Sequence, residues 1–191
     1  SHPEPPQVYV GASKPQMLRM AGRVGDGVMM SDVTLPRIAE SMAELQTGLE
    51  RRSDGKASIP VSNLYAWHVK DDPAAARAEA RAKLFVRGML EHWYIAPFLD
   101  ERDCAAVEAA FPAFAQAYVQ NTPEIEGVDD ALVDQLVDNL TWTGGPADID
   151  RFVEEMLAFK AAGVTEMAIR LYANPEESIR QIAARVMPAL A

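Results

Sequence analysis

Apolar positions along the chain change their period repeatedly, and the changes come in a fixed order. Val8-Tyr-Val is a short β-forming run that ends at Gly11-Ala-Ser, after which Pro15 opens a short helix closed at Val24-Gly25. Gly27 to Ser31 follows, and its Val28-Met-Met carries no polar alternation, as expected of a buried strand. Thr34 stands at the cap of a second helix, in which Leu35, Ile38, Met42, Leu45 and Leu49 keep helical spacing up to the turn Ser53-Asp-Gly-Lys. Ile59 to Val69 is a third strand, rich in β-formers around Tyr65 and Trp67.

Asp72-Pro73 starts another helix with a capping side chain and a first-turn proline, and the alanine-rich run carries it to about Glu91. From His92 to about Leu140 the pattern predicts only helices. One starts at Asp100 and breaks near Pro112; another starts at Asp129, with Leu132, Val133, Leu136, Val137 and Leu140 on one face. Thr143-Gly-Gly-Pro146 opens a helix with the stripe Ile149, Phe152, Val153, Met156 and Leu157, stopped by Gly163. Val164 to Tyr172 is the fourth strand. Asn174-Pro175 begins a last helix with Ile179, Ile182, Ala183, Val186, Met187 and Leu190 expected to face inward.

Four strand-helix modules in succession imply a parallel sheet with right-handed crossovers, either open or as part of a (β/α)8 barrel. A complete barrel takes about 250 residues, so 191 residues with a helical insertion supply about half of one. The expected organisation is a proline-rich lead-in or expression boundary over residues 1–7, then one α/β domain over 8–191 with the insertion at about 92–140.

A formal net charge of -10 argues against nucleic acid and anionic membranes as partners, because the long-range field repels both. Cys104 has no second cysteine to pair with, so a reducing, cytoplasmic location and a buried inert thiol are expected. The start of the chain has neither the basic nor the apolar part of a signal peptide, and no run reaches membrane-spanning length. No His, Cys or carboxylate cluster has metal-ligand spacing, and no nucleophile motif is present.

The chemistry-bearing candidates lie where strands end. Small residues at Gly11, Ala12 and Ser13 let backbone amides and the dipole of the Pro15 helix converge on one point, which makes an anion seat; an ordinary βα connection has the same spacing. Arg170 is the one charged residue in Ala168-Ile-Arg-Leu-Tyr, placed either to meet a substrate or cofactor anion or to pair with a rim carboxylate. His68 alternates with Trp67, so one of the two faces the helical layer and the other the opposite side; it is a structural histidine or a pocket residue. Asp32 follows the second strand as a pocket candidate, whereas Asp26 reads as a turn residue.

Taken together, Val8-Tyr-Val-Gly-Ala-Ser-Lys-Pro-Gln-Met-Leu, Val24-Gly-Asp-Gly-Val-Met-Met-Ser, Thr141-Trp-Thr-Gly-Gly-Pro-Ala-Asp and Ala161-Ala-Gly-Val-Thr-Glu-Met resemble the bacterial luciferase-like monooxygenase superfamily. The resemblance is strongest to the branch of deazaflavin (F420)-dependent oxidoreductases that includes the methylenetetrahydromethanopterin reductases, and flavin mononucleotide (FMN) enzymes share the motifs. It covers nearly the whole chain and corresponds to the second half of the family's TIM barrel. It implies F420 or FMN at the C-terminal ends of the strands, with Gly11, Ala12, Ser13 and Lys14 matching the turn whose amides hold the cofactor phosphate. It further implies an oxidoreductase or monooxygenase acting by hydride transfer on a small molecule in a full-length, homodimeric parent. The ring-binding and acid/base positions belong to the first four modules, so the chain alone is expected to be an inactive fragment. A naturally short flavin-binding protein and a self-associating half-barrel are the other two readings the residues allow.

Overall fold

In the computed structural model, residues 5–190 are described, and residues 1–4 of the lead-in lie outside them. The chain forms two compact units. One runs to Leu64 and includes Ala158–Ala168; the other comprises Tyr65–Leu157 and the chain from Ile169 onward.

The first unit holds β1 (Tyr9–Gly11), α1 (Pro15–Val24), β2 (Gly27–Ser31), α2 (Leu35–Leu49) and the first residues of β3 (Val61–Val69). The strands pair in parallel, Tyr9 opposite Gly27 and Val28 opposite Val61. Val28, Met30, Leu18, Ala21, Ile38 and Leu45 are buried together on the helical side. On the opposite face Met29 is 46% exposed and Tyr9 36%. Gly27 lacks a side chain where the Tyr9 ring passes, 2.5 Å from where a Cβ would stand. The start of β5 (Glu166–Arg170) joins β3, with the Thr165 amide donating to the Val61 carbonyl at 2.8 Å.

In the second unit the later part of β3 pairs in parallel with β4 (Thr141–Gly144), Trp67 opposite Trp142 and His68 opposite Thr143. One face packs Trp67 and Trp142 against Phe152 of α8 (Ile149–Ala161). The helices between β3 and β4 form a core of their own. They are α3 (Pro73–Ala82), α4 (His92–Ile95), α5 (Glu101–Ala109), α6 (Phe111–Gln120) and α7 (Asp130–Leu140). Leu84, Ile95, Cys104, Val107, Phe114, Leu136 and Leu140 are fully buried among them. Asp72, Asp100 and Asp129 each cap a helix through a side-chain oxygen, as their positions predict. Cys104 is buried, and burial pushes its thiol up from its ordinary value.

The four expected strands are present, and Thr141–Gly144 adds a fifth where the pattern predicts the opening of a helix. This strand starts at the residue after α7 ends, with no turn between them, and four residues are too few for a period to show. The helix expected to reach Glu91 stops at Ala82 and gives way to two 3-10 turns. Gly88, Met89 and Leu90 all have φ near +50°, a left-handed run incompatible with a continuing right-handed helix. Thr34 occupies its cap position without its hydroxyl making the capping bond. Leu157, expected inside, is exposed, and Phe159 is buried instead. The last helical stretch, α9 (Pro175–Gln181), a π-helical turn and α10 (Met187–Leu190), buries Val186 but leaves Ile179 57% and Met187 63% exposed. No helix among the described residues is long and apolar enough to cross a membrane.

Candidate functional site

The C-terminal ends of the strands carry two clusters, one in each unit. In the first, β1 ends at Gly11 and α1 begins at Pro15, so Ala12 to Lys14 form the turn. The Ala12 amide is engaged by the Met29 carbonyl at 3.0 Å, which ties the turn to β2. The Ser13 hydroxyl bridges the end of β2, accepting from the Ser31 amide at 2.9 Å and donating to the Ser31 carbonyl at 3.2 Å. Lys14 is the N-cap residue of α1, and its side chain makes no capping bond to the first turn, whose amides have no partner within their own helix. A Cβ built on Gly11 would meet nothing within 4 Å. Neither packing nor backbone conformation requires glycine there, and the space above it is open.

Asp32 lies directly after β2, buried, with φ at 56°. Its amide donates to the Leu64 carbonyl at 2.9 Å and its carboxylate accepts from the Ser31 hydroxyl at 2.8 Å. Asn63 of β3 fixes the next residue by bonding both the amide and the carbonyl of Val33. The structure therefore brings Ser13 and Asp32 together through Ser31. Asp26 is in the turn before β2, where the Val8 amide and Lys56 hold its carboxyl below the usual carboxylate range.

In the second unit His68 lies on the face of β3 opposite Trp67. Its Nδ1 is 2.8 Å from Oε2 of Glu79, which α3 supplies. The other Glu79 oxygen accepts from Lys70 Nζ at 3.0 Å and from the Ala173 amide at 3.1 Å. Burial alone would raise the Glu79 carboxyl, but the bonds from His68 and Lys70 outweigh it and leave the group below its ordinary value. An ionised Glu79 only accepts, so the His68 proton sits on Nδ1 and the lone pair on Nε2. Nε2 is buried with no hydrogen-bond partner among the described residues. The Tyr172 ring stacks on His68, centroids 4.7 Å apart at 14°, and Arg87 donates to the Tyr172 hydroxyl at 3.2 Å. The Arg170 guanidinium lies 5.5 Å from the centre of the same Tyr172 ring.

Burial pushes the His68 imidazole below its ordinary value, against the opposing pull of Glu79. The unfolded chain takes up this proton near pH 6.5 and the folded chain does so only at lower pH, so this stability is complete above pH 6.5 and declines below it. Denaturation midpoints measured from pH 7.5 to 5 should fall on the acid side, and His68→Phe should flatten that fall. An unchanged slope in the variant would show that other groups carry it.

Glu79, Tyr172 and Arg87 were not foreseen from the sequence. Glu79 had a readable signal, since it lies three residues beyond the buried Ala76 and hence near the apolar stripe of α3. Tyr172 and Arg87 had none, because only the fold brings the end of β5 and the turn after α3 to one histidine.

A parallel α/β sheet with site residues at the C-terminal ends of its strands is the class of structure formed by barrel enzymes. The luciferase-like monooxygenase family model matches residues 1–166, and the chain belongs to this family. It is 26% identical to the 5,10-methylenetetrahydromethanopterin reductase of Archaeoglobus fulgidus, covering 96% of this chain and 54% of that protein. Among solved structures it is similar to the coenzyme F420-dependent tetrahydromethanopterin reductase of Methanopyrus kandleri, with a TM-score of 0.67 and 18% identity over 97% of this chain and 51% of that one. An F420-dependent secondary alcohol dehydrogenase gives a TM-score of 0.65 and 16% identity, over 99% of this chain and 50% of that one. The chain thus spans about half the length of these relatives.

Proposed function

We propose that this chain provides the phosphate-holding half of an F420- or FMN-dependent oxidoreductase, which carries out hydride transfer on a small molecule in the full-length protein. The observation that carries the reading is the open space over Gly11 beside an uncapped helix start. Backbone amides of the Ser13–Lys14 turn and of the first turn of α1, with the Lys14 charge, would hold the phosphate there. Gly11 would leave room for it and Ala12 would tie the turn to β2. Ser13 would act through Ser31, because its hydroxyl is already bonded at both ends of that residue. When bound, the cofactor ring accepts or gives the hydride; the residues described here bind and orient rather than react. Asp32 and Arg170 would contact polar parts of the ligands, Arg170 from the rim of β5 where no carboxylate pairs with it among the described residues.

The exposed face bearing Tyr9 and Met29 supports a half that needs the preceding modules, or a second copy, to be covered. The chain alone is accordingly inactive, and the full-length protein is a cytoplasmic homodimer without nucleic-acid or membrane partners. The acidic charge supports the last point.

Titration of the full-length protein with FMN and with F420, followed by cofactor fluorescence, tests the reading. Gly11→Val should weaken binding of the cofactor about a hundredfold by filling the phosphate space. It should leave the denaturation midpoint within about 0.5 kcal/mol of wild type, since a Cβ at this position meets nothing within 4 Å. Unaltered affinity in the variant, or no binding of either cofactor by the full-length protein, would remove the proposal.

A further inference from the structure

Past the strand ends of the first unit, side chains take over the pairing from the backbone, twice and in the same manner. Between β1 and β2 the ladder runs on as far as the Ala12 amide on the Met29 carbonyl. At the next position the Ser13 hydroxyl replaces it, bonding both the amide and the carbonyl of Ser31. Between β2 and β3 the ladder runs on as far as the Asp32 amide on the Leu64 carbonyl. Beyond it the Asn63 side chain bonds the Val33 amide at 3.3 Å and the Val33 carbonyl at 2.9 Å. Bonds to both backbone groups of one residue fix its orientation as well as its position, as a neighbouring strand would.

The two stitched residues flank a bend. Asp32, between Ser31 and Val33, has φ at 56°, a conformation that few residue types adopt readily. The Ser31 carbonyl and the Asp32 amide belong to one rigid peptide plane, so a rotation at Asp32 swings the carbonyl that Ser13 holds. Val33 on the far side of the bend is fully buried, and Asn63 fixes it there. A continuous path of bonds therefore runs from Asn63 through Val33, Asp32 and Ser31 to Ser13, inside the turn that leads into α1.

We infer that Asn63 is a positioning residue for the turn from Ala12 to Lys14: by holding Val33 it sets the bend at Asp32 and the Ser31 peptide, and Ser13 carries that position to the amides beside Gly11. The inference rests on the reading that this turn binds the cofactor phosphate. Asn63 is fully buried and both ends of its amide are engaged by Val33, so it acts through this path and not on a ligand directly. Misplacement of the turn amides weakens their bonds to a phosphate, whereas contacts to the rest of a coenzyme do not depend on them.

In the full-length protein, the affinity of whichever coenzyme binds, FMN or F420, is measured beside that of its phosphate-free form, riboflavin or the deazariboflavin core. Wild type should favour the phosphate form about a hundredfold. Asn63→Ala, which leaves room for a water to bond Val33, should cut that preference about tenfold and leave the phosphate-free form bound within about twofold of wild type. Ser13→Ala removes the last link and should cut the preference by a similar factor. Because both act along one path, the double variant should lose no more than about twofold beyond the stronger single one. A residue serving only the stability of β3 would lower the denaturation midpoint without moving the preference. Ser13→Ala decides the matter if Asn63→Ala does not fold, and an undiminished preference in it overturns the inference. Equal wild-type affinities for the two forms, or no binding of either, would overturn the phosphate reading and the positioning role together. A preference that survives in Asn63→Ala, equal losses of both forms, or full additivity in the double variant would overturn the positioning role alone.

Discussion

Replacing Gly48 with alanine is expected to destabilise the chain by about 2 kcal/mol or more, although glycine-to-alanine changes inside helices ordinarily gain about 1 kcal/mol. The reason is where Gly48 lies. It packs α2 onto α1 so closely that a Cβ would overlap the Arg19 backbone carbonyl, and Gly22 on α1 meets the Leu45 carbonyl in the same way. A flexible side chain could yield to the intruding carbon, but these neighbours are backbone, so one helix must move as a whole. Since α1 also presents the amides beside Gly11, displacement of the helix should weaken cofactor binding by the full-length protein as well. Urea denaturation followed by far-ultraviolet circular dichroism measures the first effect. A midpoint equal to wild type would mean that the helices are not in backbone contact.

Neither glycine announces this from the sequence. Gly22 and Gly48 sit inside periods that predict helices correctly, Pro15–Val24 and Leu35–Leu49, and as single residues they read only as weak helix formers. The elements of the first unit were legible because each had local punctuation: Gly11 and Pro15, Gly25, then Thr34 before α2 and the turn Ser53-Asp-Gly-Lys after it. β4 was not legible because Thr141 follows Leu140 with no turn residue between helix and strand. The outward faces of Leu157, Ile179 and Met187 were also misread, since periodicity shows that a stripe exists but not that anything covers it.

The site divides in the same way. The turn proposed to hold the phosphate was visible as small residues between a strand and a proline-opened helix, because its geometry is made by consecutive residues. That the Ser13 hydroxyl is engaged by Ser31 was invisible, for it depends on the neighbouring strand eighteen positions away. His68 could be placed on a strand opposite Trp67, but Tyr172 reaches it only through the tertiary fold. Arg170 ended over an aromatic ring instead of beside a carboxylate, an outcome the sequence left open.

Trp142→Ala should produce the larger loss, about 4 kcal/mol. The side chain is completely buried. Its ring packs on Tyr65 at 4.6 Å, on Trp67 at 6.4 Å and on Phe152 at 6.5 Å, and its Nε1 donates to Glu155 at 2.8 Å. Removing the ring leaves a cavity lined by aromatic faces, which cannot collapse without moving β3, and leaves Glu155 with only its surface pairing to Arg151. Trp142→Phe fills most of that space and loses one hydrogen bond, so its cost should be nearer 1–2 kcal/mol. The position also bears on the histidine site, because Trp142 precedes Thr143, the residue opposite His68. Slackening this pairing should let water reach the imidazole and relieve the burial that holds it below its ordinary value. In Trp142→Ala the fall in stability below pH 6.5 should therefore flatten as it does in His68→Phe. A midpoint shift smaller than that of the phenylalanine variant would show that β4 is not held by this aromatic cluster.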